Sequence, residues 1–388
     1  MVIKPMIRNN ICMNAHPAGL AIETQKQIDY VKAQPSIAGP KRVLVIGGSA
    51  GYGLASRIVS AYACDASTLN VAFERPASGK RTATVGWYNT EYFEQVAKQD
   101  GKEALTVYGD AFSNEIKDQV VSLIREHWGT VDLVIYSLAS PLRTDPATGT
   151  EYRSVLKPIG DPIHARTVDM MSGEFRDVTI EPATEEEVQA TVKVMGGEDW
   201  ELWIDRLLSE GLLADGCKSV AYSYIGPEQT RRVYREGSIG KAKEHLEATA
   251  AGLTAKLAAT SGSAFVSVNK AVVTRASSVI PVVPLYGVIL FKVMKEMGLH
   301  EGTIEQIYRL FSDRLYADGP VPVDEQGRIR VDDWEMRDDV QAKVSALFDT
   351  VDEGTVHEKT DIDAYAGEFL RIHGFGVEDV DYDADVEV

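Results

Sequence analysis

Residues 43–57, VLVIGGSAGYGLASR, decide how this chain is read. Four apolar, β-favouring residues (43–46) run straight into a loop of small residues: Gly47, Gly48, Ser49, Ala50, Gly51, Tyr52 and Gly53. Leu54, Ala55, Ile58 and Val59 then recur at helical spacing. Strand, glycine turn and helix in succession is the setting in which a glycine motif binds a dinucleotide. Glycine lets the backbone turn tightly and approach a pyrophosphate. The helix N-terminus offers that anion unpaired N–H groups and the positive end of its dipole. An ordinary strand-to-helix turn is the plainer alternative.

The next β-like run, residues 68–73 (TLNVAF), delivers Glu74. It stands about twenty residues beyond the glycines, where a carboxylate accepts hydrogen bonds from the adenosine ribose hydroxyls. The same charge repels a 2′-phosphate and argues for NAD(H) over NADP(H), whereas the adjacent Arg75 argues the other way. Strands are expected at 104–108 and 131–136 with a helix over 115–127 between them, the rhythm of a doubly wound parallel sheet. Asp110, at the end of the third strand, either meets the adenine edge or caps the helix from Ser113 onward. Small residues after the fourth strand, SLASP (137–141), suit close approach on the nicotinamide side.

Bulk properties narrow the class. The chain has 388 residues, 44% of them hydrophobic, enough for a large core. A net charge of −18 disfavours nucleic acid or an anionic membrane as partner. Cys12, Cys64 and Cys217 match no metal spacing and suit a reducing cytoplasm. No secretion signal is visible, and the apolar run 279–291 is interrupted by Pro281 and Pro284 and too short to span a bilayer. The seven histidines lack a ligand spacing, so no metal is expected, and Trp200 and Trp203 read as core.

The remaining segments fill out an α/β architecture: a Rossmann-type doubly wound parallel sheet with an N-terminal extension, a β-hairpin insertion and added C-terminal helices. The extension is residues 1–40, with a helix over 20–31. The NAD-binding catalytic domain is 41–290, with an insertion at about 150–215, and the C-terminal extension is 291–388. A polar insert at 75–89, broken by Gly79 and Gly86, precedes a helix at 91–98. The hairpin arms are expected near 154–159 and 174–180, followed by helices at 185–194 and 200–208. Strands five and six are expected at 218–225 and 264–268, with a long helix at 241–259 between them. A helix at 304–315, a hairpin at 321–331, helices at 338–348 and 362–372 and a solvated acidic tail at 378–387 complete the chain.

A dinucleotide fold implies a cofactor and not a reaction. The catalytic candidates follow strand five: Tyr222, Tyr224, Tyr234, Lys241 and Lys243. A phenol beside an ammonium is a proton donor and an oxyanion partner, because the cation lowers the phenol's pKa. On one unbroken helix Tyr234 and Lys241, seven apart, are aligned, while Tyr234 and Lys243, nine apart, face opposite sides. Gly237 and Gly240 make an unbroken helix doubtful, and spacing alone leaves both lysines open.

Longer motifs carry a resemblance. GGSAGYG (47–53), VAFE (71–74), YSLASP (136–141), VKVMGGEDW (192–200), AYSYIGPE (221–228), IGKAKEHLE (239–247) and VNKAVVTRASSVIPVVPLY (268–286) are similar to the trans-2-enoyl-CoA and enoyl-acyl carrier protein reductase family. It is an enlarged relative of the short-chain dehydrogenase-like reductases. The likeness spans essentially the whole chain, including the opening IKPMIRNNICMNAHP (3–17), and is nearer to the CoA enzymes. It implies NADH-dependent reduction of the carbon–carbon double bond of a trans-2-enoyl thioester, in fatty acid or butyrate-type metabolism. In that family's pattern Tyr234 is the proton donor, Lys243 binds the cofactor ribose and Tyr224 touches the thioester. Gly47 to Tyr52, Phe73, Glu74, Asp110, Ala111, Leu138, Ala139, Val272, Val273 and Thr274 line the NAD site. The implied partners are the enoyl thioester, of CoA first and of acyl carrier protein second, in a monomer or homodimer. The run 279–291 either covers the acyl chain or forms a core helix, and Lys292, Lys295, Arg309 and Arg314 form the one basic patch that could attract an acidic carrier. The rival readings are a short-chain ketone or alcohol dehydrogenase, with tyrosine and lysine commonly four apart, and a non-catalytic NAD sensor.

Overall fold

The computed structural model describes residues 1–8, 11–274 and 282–386. Strands β1 (Ile7–Arg8) and β2 (Ile11–Cys12) form an antiparallel ribbon ahead of helix α1 (Pro17–Lys32). Pro17 opens that helix, where a missing amide and a fixed φ cost nothing, and His16 caps it by accepting from the Gly19 N–H.

The chain then alternates β3 (Arg42–Ile46), α2 (Gly51–Tyr62), β4 (Ser67–Ala72), α3 (Val85–Gln99), β5 (Ala104–Tyr108), α4 (Asn114–His127) and β6 (Val131–Tyr136). Two antiparallel pairs follow: β7 (Leu142–Thr144) with β8 (Glu151–Arg153), and β9 (Ile163–Val168) with β10 (Phe175–Ile180). Helices α5 (Glu185–Met195) and α6 (Glu198–Ser209) lead into β11 (Leu213–Ser223). After α7 (Glu228–Arg231) come α8 (Ser238–Leu257), β12 (Ser263–Val268), α9 (Val283–Glu296) and α10 (Thr303–Leu310). Strand β13 (Ile329–Arg330) and helices α11 (Asp338–Phe348), α12 (Val356–Lys359) and α13 (Ile362–Arg371) end the order.

Seven strands make one parallel sheet in the order β13-β12-β11-β6-β3-β4-β5. From β3 the chain winds outward through β4 and β5, then returns to β6 on the other side, which opens a crevice at the carboxyl ends of β3 and β6. Both faces are covered, so the middle of the central strands is largely apolar, as in VLVI (43–46) and LVIY (133–136). Leu44, Ile46, Val134 and Ala221 pack under α4, α6 and α8, whereas Val43, Val45, Leu133 and Val220 pack under α1, α2, α3 and α10. Trp200 and Trp203, fully buried on α6, make the insertion part of the first layer. A third cluster surrounds α9, where α11, α13 and the turn end of the β9–β10 hairpin converge.

Several boundaries differ from the sequence expectations. The hairpin's first arm is β9, not 154–159, which is not strand; there Pro158 makes only a lone bridge to Gly237. No hairpin forms at 321–331; β13 alone pairs there, parallel to β12 as the sheet's seventh strand. Helix α3 starts at Val85, so Gly86 lies inside its first turn rather than breaking it. The helix expected over 304–315 is α10 running into a π turn (Phe311–Leu315). The acidic tail is not free: the Met1 amino group donates to the Val386 carbonyl, the Val386 N–H donates to the Met1 carbonyl, and Lys4 pairs with Asp383.

Candidate active site

The glycine turn sits at the crevice. Gly47 has a φ of +89°, and a Cβ there would stand 2.3 Å from the Ser137 carbonyl oxygen at the end of β6. A Cβ at Gly53 would stand 2.0 Å from the Gly47 carbonyl oxygen, so α2 begins flush against the turn. Ala50, the N-cap of α2, supplies no side-chain acceptor, which leaves the first amides of the helix to a ligand. Two residues that the sequence reading missed brace the turn. Asn70 on β4 accepts from the Gly48 N–H (2.8 Å), and Asn89 on α3 donates to the Ser49 carbonyl (3.1 Å). Asn70 did leave a signal: an amide between the apolar Leu69 and Val71 in β4.

Glu74 lies beside the turn. Ser49 Oγ donates to its Oε1 at 2.8 Å, and a Cβ on Gly86 would stand 2.1 Å from that oxygen. That clearance is why Gly86 tolerates a helical first turn. Phe73 is 81% exposed, a ring left open at the carboxyl end of β4. The cap of α4 is Ser113, while an Asp110 carboxylate oxygen accepts from the Phe112 N–H in a local turn. Ala111 is held by its carbonyl, which accepts from Lys117 Nζ (3.0 Å) and Trp203 Nε1 (3.1 Å). Leu138 reaches the Gly47 turn, with its Cδ2 3.0 Å from where a Cβ would lie there, and Ala139 follows, exposed. Thr274 Cγ2 would meet a Cβ on Gly51 at 3.7 Å, and Val273 is buried beside α9. Tyr52 Oη donates to the Lys270 carbonyl at 2.8 Å, tying α2 to the loop that carries Val272. The positions read as cofactor-lining therefore follow the carboxyl ends of β3, β4, β5, β6 and β12. Their arrangement fits a dinucleotide: a backbone cradle that side chains would fill, open helix amides and a carboxylate next to both.

The tyrosines and lysines sort themselves by contact. Tyr222 turns its hydroxyl to Ser56 Oγ on α2 (2.5 Å), away from the crevice. Tyr224, just past β11, meets the Tyr234 ring edge-on at 5.0 Å between centroids. Tyr234 precedes α8, so the argument from helix periodicity does not apply to it. Lys241 is exposed and pairs with Glu244, whereas Lys243 is buried and donates to the Tyr222 carbonyl at 3.2 Å. Of the two lysines, Lys243 is therefore the one turned into the protein beside β11. Among the described residues the Tyr234 hydroxyl has no hydrogen-bond partner. The expectation that a lysine lowers the phenol is not met: burial alone raises Tyr234, so it keeps its proton at neutral pH. Burial also pulls the Lys243 ammonium down to about 8, against the pull of Glu247.

Residues 279–281 of the apolar run lie outside the described residues, Val282 is the N-cap of α9, and the rest of the run is α9, buried from Val283 through Phe291. The basic patch is neutralised. Lys292 pairs with Glu296, Lys295 with Asp361 and Glu368, Arg309 with Glu301 and Asp333, and Arg314 with Asp333.

A sheet of this order with a glycine turn at its switch point, and a tyrosine and a buried lysine after the fifth strand, defines a dinucleotide-dependent oxidoreductase of the short-chain dehydrogenase-like class. Within that class the family is specific. Residues 81–316 match the trans-2-enoyl-CoA reductase catalytic region, and residues 2–79 match the NAD(P)H-binding domain of trans-2-enoyl-CoA reductase. The chain belongs to the trans-2-enoyl-CoA reductase family. A Treponema denticola trans-2-enoyl-CoA reductase solved with NAD is 53% identical and superposes with a TM-score of 0.96, covering 100% of this chain and 98% of that one. A Clostridium trans-2-enoyl-CoA reductase solved with NADH is 42% identical with a TM-score of 0.98, again over 100% and 98%. An enoyl-[acyl-carrier-protein] reductase [NADH] of Flavobacterium johnsoniae is 56% identical over 99% of this chain and 97% of its own.

Residues 323–386 match an enoyl reductase FAD-binding domain. The side chains there do not fit a flavin dinucleotide. Helix N-termini hold a pyrophosphate by positive potential, yet α11 begins with Asp338 and Asp339 and α13 with Asp361 and Asp363. Val340, Val344, Tyr365 and Phe369 are spent on packing against α9.

Proposed function

We propose that this chain reduces the carbon–carbon double bond of a trans-2-enoyl-CoA such as crotonyl-CoA, with NADH as reductant. The observation that carries the reading is the Tyr234 hydroxyl. It is protonated and without a partner among the described residues, and it lies against Tyr224, which leaves β11 close to where Lys243 is anchored. Gly47, Gly48, Ser49, Ala50 and Gly51 would cradle the pyrophosphate. Glu74 would take the adenosine ribose, and Phe73, Asp110 and Ala111 the adenine. Leu138, Ala139, Val272, Val273 and Thr274 would flank the nicotinamide side. NADH supplies a hydride to the β-carbon when bound. Negative charge then gathers on the thioester oxygen, where Tyr234 donates, with Lys243 as the buried cation holding the ribose. Loss of one such donor costs about 10²–10³ in rate. Proton transfer to the α-carbon completes the saturated product.

Names alone do not choose the carrier, because CoA-named and carrier-protein-named relatives stand at similar identity. The acidity of the chain and the pairing of its cations on α9 and α10 favour CoA. A cytoplasmic monomer or homodimer is the simplest assembly. Cys64 and Cys217 are buried thiols, and among the described residues no helix is long and apolar enough to cross a membrane. A steady-state assay on crotonyl-CoA with NADH against NADPH tests the reading. Tyr234→Phe should remove turnover while NADH binding, followed by fluorescence, stays near wild type. Retained turnover would move the proton donor to Tyr224.

A further inference from the structure

We propose that Glu335, contributed by the segment between β13 and α11, is a positioning residue for enoyl reduction. It fixes the Tyr224 hydroxyl and the loop at Ala271 against one another, and through them the register of substrate side and nicotinamide side. The inference rests on the function proposed above.

Glu335 is fully buried, and both of its oxygens are used. Oε1 accepts from Tyr224 Oη (3.0 Å) and Tyr286 Oη (2.7 Å), and Oε2 accepts from the Ala271 N–H (2.7 Å). Gln341 locks the arrangement, donating to Tyr286 Oη (3.2 Å) and to the Glu335 carbonyl (2.7 Å). One carboxyl group thus joins the exit of β11, the loop after β12 and helix α9. Ala271 immediately precedes Val272, Val273 and Thr274. Tyr224 in turn packs edge-on against Tyr234, so holding one ring limits the other.

The chemistry requires an acid at this position. Three donors converge from two directions on two oxygens, and only a carboxyl group has acceptor sites on both sides. Glutamine would turn an NH₂ toward either the tyrosines or the Ala271 N–H, leaving a buried donor unpaired. Burial raises the Glu335 carboxyl and the buried Lys270 opposes that shift, with Asp332 acting in the same sense as burial. The hydroxyl proton of Tyr224 is committed to Glu335, whereas among the described residues that of Tyr234 has no acceptor. Proton delivery therefore falls to Tyr234, and Tyr224 contributes through its placement.

The test is Glu335→Gln in the full chain, assayed on crotonyl-CoA with NADH. With the protein folded by circular dichroism, kcat should fall about tenfold to a hundredfold, the scale of an ångström of misplacement. The KM for crotonyl-CoA and the Kd for NADH should stay within about threefold. In a cycle with Tyr224→Phe the combined loss should be smaller than the product of the single losses, since both variants disturb the junction that Glu335 forms with Tyr224. If Glu335→Gln fails to fold, Glu335→Asp keeps the charge, withdraws it by one methylene and enters the same cycle. Wild-type kcat in a folded Glu335 variant, or losses that multiply with Tyr224→Phe, would overturn the inference. Wild-type protein inert on crotonyl-CoA would instead remove the functional reading itself.

Discussion

At the scale of single residues, the site sets a charge balance that can be read in stability. An unfolded chain keeps a lysine protonated to about 10.4, whereas burial releases the Lys243 proton near 8. Between those values the unfolded state binds the extra proton, so stability rises with pH there, and below about 8 the buried ammonium is a cost. Lys243→Met should therefore melt at a higher temperature than wild type at pH 7, bind NADH more weakly, and lose its thermal advantage as pH climbs past 8. Melting curves from pH 6.5 to 9.5 check this, and a lower melting temperature at every pH would contradict it. Glu74 carries a second residue-scale prediction. Its carboxylate accepts from Ser49, and in the proposed cofactor pose it would face a 2′-phosphate, so Glu74→Ser should shift the NADPH-to-NADH ratio of kcat/KM upward by about tenfold or more, as expected from removing a close like charge. An unchanged ratio would assign cofactor choice elsewhere.

At the scale of elements, the insertion helix α6 buttresses the cofactor edge. Lys117 on α4 donates to the Ala111 and Phe112 carbonyls (3.0 Å each) and to Asp199 on α6 (2.8 Å), and Tyr136 on β6 donates to the other Asp199 oxygen (3.1 Å). Both charges are nearly inaccessible. Asp199→Asn strands the Lys117 cation, at a cost of about 3–5 kcal/mol, so it should lower the melting temperature and weaken NADH binding together. Lys117→Met with Asp199→Leu should recover the stability but not the affinity, because the carbonyl anchor is gone. Calorimetry and NADH titration on the same samples separate the two. The sheet strands were legible because buried parallel strands read as continuous apolar runs, and β5 and β6 fall where the pattern put them. The hairpin arm was misplaced because 154–159 and β9 alternate alike, and only tertiary pairing distinguishes them. Tyr234 and Lys243 could be paired only through the family motif, since the irregular segment before α8 defeats periodicity. Lys117, Asp199 and Glu335 were not legible: a buried charge looks in sequence like an exposed one until its distant partner is placed.

At the scale of the whole molecule, a net charge of −18 acts on every anionic substrate that approaches. The sequence suggested relief from four cations on α9, α10 and the π turn after it. Their partners, Asp333, Asp361 and Glu368 among them, come from the C-terminal segment and cancel them. Arg309 is in addition buried, and cannot meet a docking protein. An acidic carrier protein would then approach a surface that repels it over about a Debye length, roughly 30 Å at 0.01 M salt and 8 Å at 0.15 M. For crotonyl-acyl carrier protein, kcat/KM should accordingly rise as salt is raised across that range, since screening removes repulsion. The smaller CoA thioester, with fewer charges, should respond less and remain the better substrate at every ionic strength. The measurement is kcat/KM for both thioesters against salt at fixed pH. A carrier-protein rate that falls with added salt would reveal attraction, and hence a basic docking surface formed by residues other than these four.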